Sequence, residues 1–359
     1  MTDVLSPADL RRIVNLGDFE PFAVERMTGP AYDYVAGGSW DERTLAESVE
    51  AWQRYRFVPR VLRDLREIDV RGSFLGRAAA MPVAIAPMAA QGLAHPGAEG
   101  EMAAGAGAGG IPFILSTTSS MTIEDVAAAA PDAERWFQLY VIGDMRYARA
   151  LVERAEVAGY RALVITVDLP VLGRRERDVR SGFELPALPH IDAAGDERDS
   201  RYGNLEDQRD IGLTWRSIDE IRSWSSLPVI VKGILSAEDA RIAAEAGLAG
   251  IVVSTHGGRQ LDRAISTAEA LPAAVAAVDG RCEVWVDGGI RRGLDVVTAM
   301  ALGATGVLVG RPYYWALAAG GRAGVIRASE ILAAELRIAL PLLGCASMGD
   351  LGPELLVRA

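Results

Sequence analysis

PVIVKGILSAEDARIAAEAGLAGIVVS, residues 228–254, begins and ends with a short run of β-branched and other apolar residues. Continuous runs of this kind are typical of strands that are buried on both faces of a sheet. Between them, residues 237–246 show the apolar spacing of an amphipathic helix. A strand, a helix and a second strand in this order predict two parallel strands joined by a crossover helix.

Eight runs of this kind occur along the chain, and most are separated by roughly 20 to 30 residues that contain helical patterns such as 145–158 and 294–302. Eight β-α units close into a (β/α)8 TIM barrel, which is the α/β fold that we predict. A doubly wound open sheet is the alternative, but no G-x-G-x-x-G follows the first run, where a dinucleotide fold needs it. The runs are 81–86, 113–116, 136–140, 162–167, 228–232, 250–254, 283–287 and 306–309.

The N-terminal part of the chain lacks a strong strand pattern and instead shows helical spacing. We therefore predict that residues 1–75 form a helical cap on a barrel made by residues 76–359, the two together being a single domain. The helical patterns lie at 7–16, 18–27 and 41–55.

A second irregularity is the gap of about 60 residues between the fourth and fifth runs. Its middle, residues 191–210, has ten charged residues among twenty and almost no large apolar ones. Such a segment cannot bury enough apolar surface to join the core. We predict a mobile polar loop at about 184–212 that serves as a lid over one end of the barrel.

Composition excludes several classes of protein. The 359 residues carry a formal net charge of −11, so the basic surface that nucleic acid or anionic lipid requires is not expected. Two cysteines, Cys282 and Cys345, cannot form a disulfide framework, and no secretory leader precedes Pro7, which favours the cytoplasm. Three histidines and two separated cysteines give no ligand cluster for zinc or iron, and no apolar run predicts a membrane span.

One residue type is unusually rare. Lys232 is the only lysine, and the other 36 basic residues are arginines. This bias has two interpretations. Lys232 is a chance remainder of a biased composition, or position 232 needs a compact ammonium that a planar guanidinium cannot replace.

Polar residues follow the predicted strands, at the end of a barrel where catalytic side chains gather. A packed core does not require Lys and His at these positions. We therefore expect the set to converge on one site. Its members are Pro87, Met88 and Ala89 after the first run, then Ser116, Gln138, Tyr140, Thr166, Asp168, Lys232, Ser254, His256, Asp287, Gly288, Gly289, Gly310 and Arg311.

The last two runs are followed by a phosphate-binding pattern. DGGIRR (287–292) and GRP (310–312) each place glycine, a helix start and an arginine after a strand. Backbone N–H groups at such positions can approach an anion closely. The pattern on adjacent strands implies a phosphorylated ligand.

His256 is the strongest candidate for a general base, since imidazole titrates near neutral pH and Gly257 and Gly258 leave room for a substrate. Asp168 is placed to pair with it. Arg175 and Arg259 are candidates for binding a carboxylate through two parallel donors. His95 and His190, each beside a proline, are interpreted as structural.

Six motifs occur in a characteristic order along the chain: FQLY (137–140), TVD (166–168), LGRR (172–175), KG (232–233), STHGGRQLD (254–262) and DGG (287–289). Together they resemble the FMN-dependent L-2-hydroxy acid oxidases and dehydrogenases, the family of glycolate oxidase, lactate oxidase and mandelate dehydrogenase. The resemblance runs from about residue 32 to residue 343, with the motifs in the family's order and spacing. It implies a (β/α)8 barrel, bound FMN and a homotetramer.

The resemblance also implies roles for single residues. His256 matches the active-site base and Asp168 its partner, while Tyr34, Tyr140, Arg175 and Arg259 match the residues that contact the substrate, Tyr140 beside the reacting hydroxyl. Lys232 would stabilise the negative charge of the reduced flavin. The positions that match FMN contacts are Pro87, Met88, Ala89, Ser116, Gln138, Tyr140, Thr166, Lys232, Ser254, Asp287, Gly288, Gly289, Arg291, Gly310 and Arg311.

Three features depart from the family pattern. Thr255 replaces an asparagine beside the base, and Thr118 replaces a tryptophan of the substrate pocket in the glycolate oxidases. The loss of an indole predicts a bulky or aromatic substrate, unless Trp40 or Met88 refills the space. The polar insertion lacks an amphipathic membrane-binding stretch, which favours a soluble enzyme.

These observations predict an enzyme that oxidises an L-2-hydroxy acid to the 2-oxo acid, with O2 as acceptor and H2O2 as product. One alternative is a lactate- or glycolate-type enzyme that passes its electrons to a quinone or a carrier protein. A more distant alternative is a non-redox phosphate-binding barrel, such as an isomerase or a lyase. A flavin store without catalysis would not need His256 and two arginines.

Overall fold

The computed structural model describes residues 4–142, 145–192 and 212–359, and its centre is a closed barrel of eight strands. Each strand pairs in parallel with the next, and the last pairs with the first. The predicted (β/α)8 barrel is therefore confirmed, and the open sheet is excluded. The strands are β1 (Val83–Ile85), β2 (Phe113–Ser116), β3 (Arg135–Leu139), β4 (Leu163–Thr166), β5 (Val229–Ile234), β6 (Gly250–Val253), β7 (Glu283–Val286) and β8 (Gly306–Val309).

The predicted runs coincide with the eight barrel strands, but the two differ in where some strands begin and end. The first run begins at Met81, but β1 begins only at Val83, after Pro82, which has no N–H for the ladder. The fifth run ends at Lys232, whereas β5 continues to Ile234 through a register shift between Lys232 and Ile234. Irregularities of this kind redirect side chains near active sites.

Helices fill the crossovers and surround the barrel. The last of them, Arg311–Leu343, is interrupted at Gly321, whose φ of 56° and ψ of −141° are not helical. The described α-helices are Pro7–Leu10, Glu20–Arg26, Gly29–Ala36, Arg43–Gln53, Ala98–Ala108, Ile123–Ala129, Met145–Val157, Glu176–Ser181, Pro189–Asp192, Trp215–Arg222, Ala237–Glu245, Thr267–Val278, Gly293–Ala301 and Arg311–Leu343. The described 3-10 turns are Leu16–Phe19, Gln91–Leu93, His256–Gly258, Met348–Asp350 and Pro353–Leu355.

The barrel interior is packed with side chains and is closed at the N-terminal ends of the strands. Trp136 and Trp285 lie edge to face with ring centroids 5.4 Å apart. Phe74, from a hairpin of strands Gly72–Phe74 and Arg77–Ala79, packs against both indoles at 5.9 and 6.2 Å. Since this end is filled, a ligand site can form only at the opposite, C-terminal end.

The N-terminal segment is helical, as its pattern indicates, but it also contains strands that sequence analysis missed. Tyr55–Phe57 pairs antiparallel with Leu356–Arg358 and so joins this segment to the far end of the chain. Strands of three residues are too short for their periodicity to be recognised. The division into a cap, 1–75, and a barrel, 76–359, stays a prediction.

The predicted lid lies largely outside the described residues. Of the segment 184–212, residues 193–211 are not described, and the described part includes the short helix Pro189–Asp192. Within the described ranges, no helix combines the length and the apolar character needed to cross a lipid bilayer.

Candidate active site

A pocket at the C-terminal ends of the strands brings together most of the side chains that sequence analysis singled out. Three of them, Gln138, Asp168 and Ser254, lie behind its wall and contact residues that line it. The predicted residues that line the pocket are Tyr34, Pro87, Met88, Ala89, Ser116, Thr118, Tyr140, Thr166, Arg175, Lys232, His256, Arg259, Asp287, Gly288, Gly289, Arg291, Gly310 and Arg311.

His256 begins the turn after β6 and directs its ring into this pocket. Its Nδ1 lies 2.8 Å from Oδ1 of Asp168, and its Nε2 lies 3.2 Å from the hydroxyl of Tyr140. Because Asp168 accepts the proton of Nδ1, Nε2 is left as the basic nitrogen facing the pocket. The backbone of His256 has a φ of 55°, which is unfavourable for a residue with a side chain of this size. Strained backbone of this kind is often found at functional sites.

The surroundings favour the neutral imidazole. Burial lowers the pKa of His256, although the attraction of Asp168 opposes part of this effect. For Asp168 itself, burial alone would raise the pKa, but the attraction of His256 and Lys232 more than offsets it and leaves the pKa below its usual range. The pair therefore consists of an ionised carboxylate and an uncharged base near neutral pH.

Gly233 explains how Asp168 reaches this position. A Cβ at residue 233 would lie 2.6 Å from Cβ of Asp168, and the φ of Gly233 is 112°. A residue with a side chain would collide with Asp168 and would also strain the backbone. The irregular end of β5 thus makes room for the partner of His256.

Lys232 provides a buried positive charge at the floor of the pocket. Its ammonium donates to Oγ of Ser254 at 2.7 Å and lies 3.0 Å from Oδ2 of Asp287. Burial would lower the pKa of Lys232, but the attraction of Asp287 and Asp168 more than offsets it and raises the pKa. The residue is 4% exposed and its ammonium is held by these two partners, while the neighbouring carboxylates keep it charged. This geometry supports the second interpretation of the only lysine.

Two arginines and a tyrosine form the opposite wall. The guanidinium carbon of Arg259 lies 4.8 Å from the ring centroid of Tyr34, and that of Arg175 lies 5.8 Å from it. Phe183 stacks on the Tyr34 ring, with the two ring centroids 4.5 Å apart. The two cations and the phenol provide donors for a carboxylate at this wall.

The loops after β7 and β8 have the features of an anion site. Gly289 can approach helix Arg43–Gln53 because it lacks a Cβ, which would lie 1.8 Å from the carbonyl oxygen of Ser48. Burial lowers the pKa of Arg291, and burial together with repulsion from Arg259, Arg291 and Arg175 lowers that of Arg311. Glu20 and Asp295 offset this effect only in part for Arg291, as Glu42 does for Arg311. Buried cations that are incompletely neutralised are unfavourable, so this corner fits a phosphate.

The floor of the pocket fits a polar heterocycle. Around the floor, Nε2 of Gln138, Oγ1 of Thr166 and Oδ1 of Asp287 are buried and have no hydrogen-bonding partner among the described residues. Buried polar groups in folded proteins are normally paired. The donors and acceptors on the edge of a flavin ring would satisfy these atoms, while its phosphate would lie at Arg291 and the loops after β7 and β8.

Sequence analysis missed part of the lining. Leu169, Leu172 and Leu185 form an apolar side of the pocket, and Tyr314 enters from the helix that follows β8. The hydroxyl of Tyr314 donates to the carbonyl of Ala90 at 2.7 Å. Apolar residues carry no chemical signal in a sequence, but Tyr314 lies one turn after Arg311 and could have been found. The remaining lining residues are Val35, Ala86, Gly257, Ile290, Leu308 and Val309.

The other two histidines lie elsewhere. His190 is buried and its Nε2 accepts the N–H of Ile123 at 3.2 Å. His95 accepts the N–H of Gly97 through Nδ1 at 3.0 Å. Neither lines the pocket, and within the described part of the chain no cluster of His, Cys, Asp and Glu could hold a metal ion.

Comparison with known proteins agrees with this geometry. Residues 23–358 match the FMN-dependent dehydrogenases. The chain is 46% identical over 344 residues to a 4-hydroxymandelate oxidase of Amycolatopsis orientalis, covering 94% of this chain and 96% of that protein. It is 43% identical over 373 residues to an L-lactate oxidase of Nostoc sp., covering 99% and 100%. A solved mandelate oxidase with (S)-4-hydroxymandelic acid superposes with a TM-score of 0.90 at 45% identity, covering 96% and 98%.

The match spans nearly the whole barrel and includes the strand ends that carry the buried lysine, the histidine and the arginines. It also excludes a non-redox phosphate-binding barrel. The chain therefore belongs to the FMN-dependent 2-hydroxy acid oxidase and dehydrogenase family, and it is an oxidoreductase that uses FMN to oxidise a 2-hydroxy acid.

Proposed function

We propose that this enzyme oxidises a bulky or aromatic L-2-hydroxy acid, of the mandelate kind, and passes the electrons to O2 with formation of H2O2. The observation that carries the choice of substrate is Thr118, which lines the pocket where an indole would otherwise stand. Trp40 is 44% exposed and does not line the pocket, so it does not refill the space, whereas Met88 lines the pocket and keeps a refilled pocket as the alternative. Because one relative is an L-lactate oxidase, a smaller 2-hydroxy acid is the alternative substrate.

The roles proposed for the residues follow from their positions. Arg175, Arg259 and Tyr34 bind the carboxylate, and the Tyr140 hydroxyl orients the CH–OH group beside Nε2 of His256. Oxidation to the 2-oxo acid removes two electrons and two protons, and His256 takes one of the protons. Asp168 stabilises the imidazolium that results. FMN, when bound, supplies the two-electron acceptor.

The proposed cofactor contacts divide between the two ends of FMN. Gly288, Gly289, Arg291, Gly310 and Arg311 would hold the phosphate. The residues that would hold the flavin ring are Pro87, Met88, Ala89, Ser116, Gln138, Tyr140, Thr166, Lys232, Ser254 and Asp287. A cytoplasmic homotetramer completes the proposal.

A panel of glycolate, lactate, mandelate and longer 2-hydroxy acids, assayed with and without O2, tests this proposal. We expect kcat/KM to favour mandelate over lactate by about tenfold to a hundredfold, since burying a large apolar group contributes roughly 1.5–3 kcal/mol. We expect one H2O2 for each substrate oxidised. A preference for glycolate or lactate of about tenfold or more would contradict the open pocket, and dye reduction without peroxide would point to a quinone or a carrier protein.

Replacing Thr118 by tryptophan should reduce mandelate turnover more than lactate turnover. The side chain of Thr118 is 6% exposed and lies against Oγ of Ser116 at 2.8 Å, so an indole must occupy the pocket itself. Thr118→Val is the matched control, since it removes the hydroxyl without filling the pocket and should keep the preference. Steady-state kinetics of both variants on both substrates make the measurement. Equal losses for the two acids in Thr118→Trp would argue against the proposed orientation of the substrate side chain.

Replacing Asp168 by asparagine should move the acidic limb of the kcat/KM profile to lower pH. Activity requires neutral His256, so it is lost as pH falls through the pKa of that residue, which burial places below the ordinary 6.5. Attraction to Asp168 raises this pKa, and its loss therefore lowers the pKa further. The plateau should also fall by about 10²- to 10⁴-fold, because the imidazolium loses its partner. A limb that moves to higher pH would contradict this pairing.

A further inference from the structure

Arg311 connects the N-terminal segment with the turn that carries His256. Its Nε and Nη2 donate to the carbonyl oxygens of Val35 and Gly37, both at 2.8 Å, and its Nη1 donates to that of Gly257 at 2.9 Å. The first two carbonyls lie at the C-terminal end of helix Gly29–Ala36, where no further turn of helix supplies N–H partners. A single guanidinium thus holds the helix that carries Tyr34 against the catalytic turn.

Neighbouring contacts strengthen the same junction. Nη1 of Arg259 donates to the carbonyls of Tyr34 and Gly37 at 2.5 and 3.0 Å. The N–H of Ser39 donates to the carbonyl of Gly258 at 3.0 Å. Two cations at the C-terminal end of a helix also complement its dipole. The position of Tyr34 over the pocket therefore depends on side chains that belong to the barrel.

The charges around Arg311 make this junction sensitive to an anion. Burial lowers the pKa of Arg311 well below its ordinary value, and repulsion from Arg259, Arg291 and Arg175 adds to the effect, while Glu42 opposes it. A guanidinium has five N–H donors, of which three are used at the junction. Among the described residues, the other two donors have no partner, and Arg311 lines the pocket beside Gly310 and Arg291, where a ligand could accept them.

We propose that Arg311 is a positioning residue that makes the placement of Tyr34 over the substrate site depend on the phosphate of FMN. A bound phosphate would reduce the repulsion among the arginines and would accept hydrogen bonds from the remaining N–H groups of Arg311. Both effects would fix the guanidinium that holds the carbonyl groups of Val35 and Gly37. The substrate wall is then complete only in the holoenzyme. This inference rests on the proposed position of the phosphate between the loops after β7 and β8.

Hydrogen exchange of the peptide 29–40, measured by mass spectrometry in the FMN-free and FMN-loaded protein, tests this link. We expect FMN to slow hydrogen exchange of this peptide by at least about fivefold, because coupling between two sites typically changes an equilibrium by a factor of about five or more. Riboflavin, which has the same ring without the phosphate, should leave the exchange unchanged. Inorganic phosphate alone should give part of the protection. Visible absorbance reports binding of either flavin independently of exchange.

Arg311→Lys keeps the charge but cannot span three carbonyls, so the protection by FMN should fall below about twofold. Its KM for the hydroxy acid should rise more than its kcat falls, because Tyr34 belongs to the substrate wall. Arg177→Lys is the matched control, since Arg177 pairs with Asp33 of the same helix and with Glu42 beyond its C-terminal end, and it does not line the pocket. It should speed exchange equally with and without FMN.

The possible results separate the two proposals. FMN that binds the wild type without protecting residues 29–40, or that protects Arg311→Lys equally, would overturn the role of Arg311 alone. Equal protection by riboflavin and FMN would also overturn it. Failure of FMN to bind the wild-type protein would instead overturn the proposed cofactor site.

Discussion

Replacing His256 by glutamine will lower turnover by about 10²- to 10⁴-fold, the usual contribution of general acid–base catalysis, while the purified protein stays yellow. Glutamine has a similar size and still forms hydrogen bonds, but it cannot take a proton. The proposed FMN contacts at Lys232 and Arg291 are unchanged, so the cofactor should be retained. Substrate binding should survive in part through Arg175 and Arg259.

Single-turnover flavin reduction without O2 measures this loss at the chemical step, and the visible spectrum measures FMN content. His95→Gln is the matched control, because His95 lies outside the pocket lining and accepts the N–H of Gly97. It should leave turnover close to that of the wild type. Near-normal flavin reduction in His256→Gln would show that the base is another residue.

Replacing Lys232 by methionine should slow flavin reduction by about 10²- to 10³-fold, the range seen when one preorganised electrostatic contact is removed. The ammonium lies between Ser254 and Asp287 and is shielded from water, so its charge acts through a medium of low polarity. Without it, the carboxylate of Asp287 would lose its counter-charge at the proposed flavin site. The flavin potential should therefore fall.

Two further measurements distinguish this role from a structural one. Lys232 lowers the pKa of His256, so the methionine variant should move the acidic limb of kcat/KM to higher pH, opposite to Asp168→Asn. Lys232→Arg retains the charge but not the compact shape, and its flavin potential should lie nearer to that of the wild type. Unchanged reduction rates in Lys232→Met would remove the assigned role.

The barrel could be predicted because its strands are buried on both faces and read as continuous apolar runs, as β4 and β6 do. The polar residues at the C-terminal ends of the strands could be predicted for a related reason, since Lys232 and Asp287 end two of those runs and His256 lies just after another. The rule that catalytic groups gather at this end of a barrel then places them together. Neither inference needed the structure.

Other features could not be predicted because they depend on contacts between distant segments. Nothing in the sequence shows that Gly233 leaves space for Asp168, or that Arg311 reaches back to Val35 and Gly37. The apolar wall of Leu169 and Leu172 has no chemical signal. Short strands such as Gly72–Phe74 take their structure from their partners rather than from their own propensity.

The pairing of Tyr55–Phe57 with Leu356–Arg358 bears on the order in which the molecule folds. Contacts across about 300 residues belong to the high contact-order part of a fold, which forms slowly and only after both partners exist. On the ribosome, all eight barrel strands are synthesised before Leu356 is added, so the barrel can close while the segment that carries Tyr34 still lacks this anchor. A nascent chain stopped before residue 356 should thus hold a closed barrel with an unanchored N-terminal segment, and the substrate wall is among the last parts of the enzyme to mature.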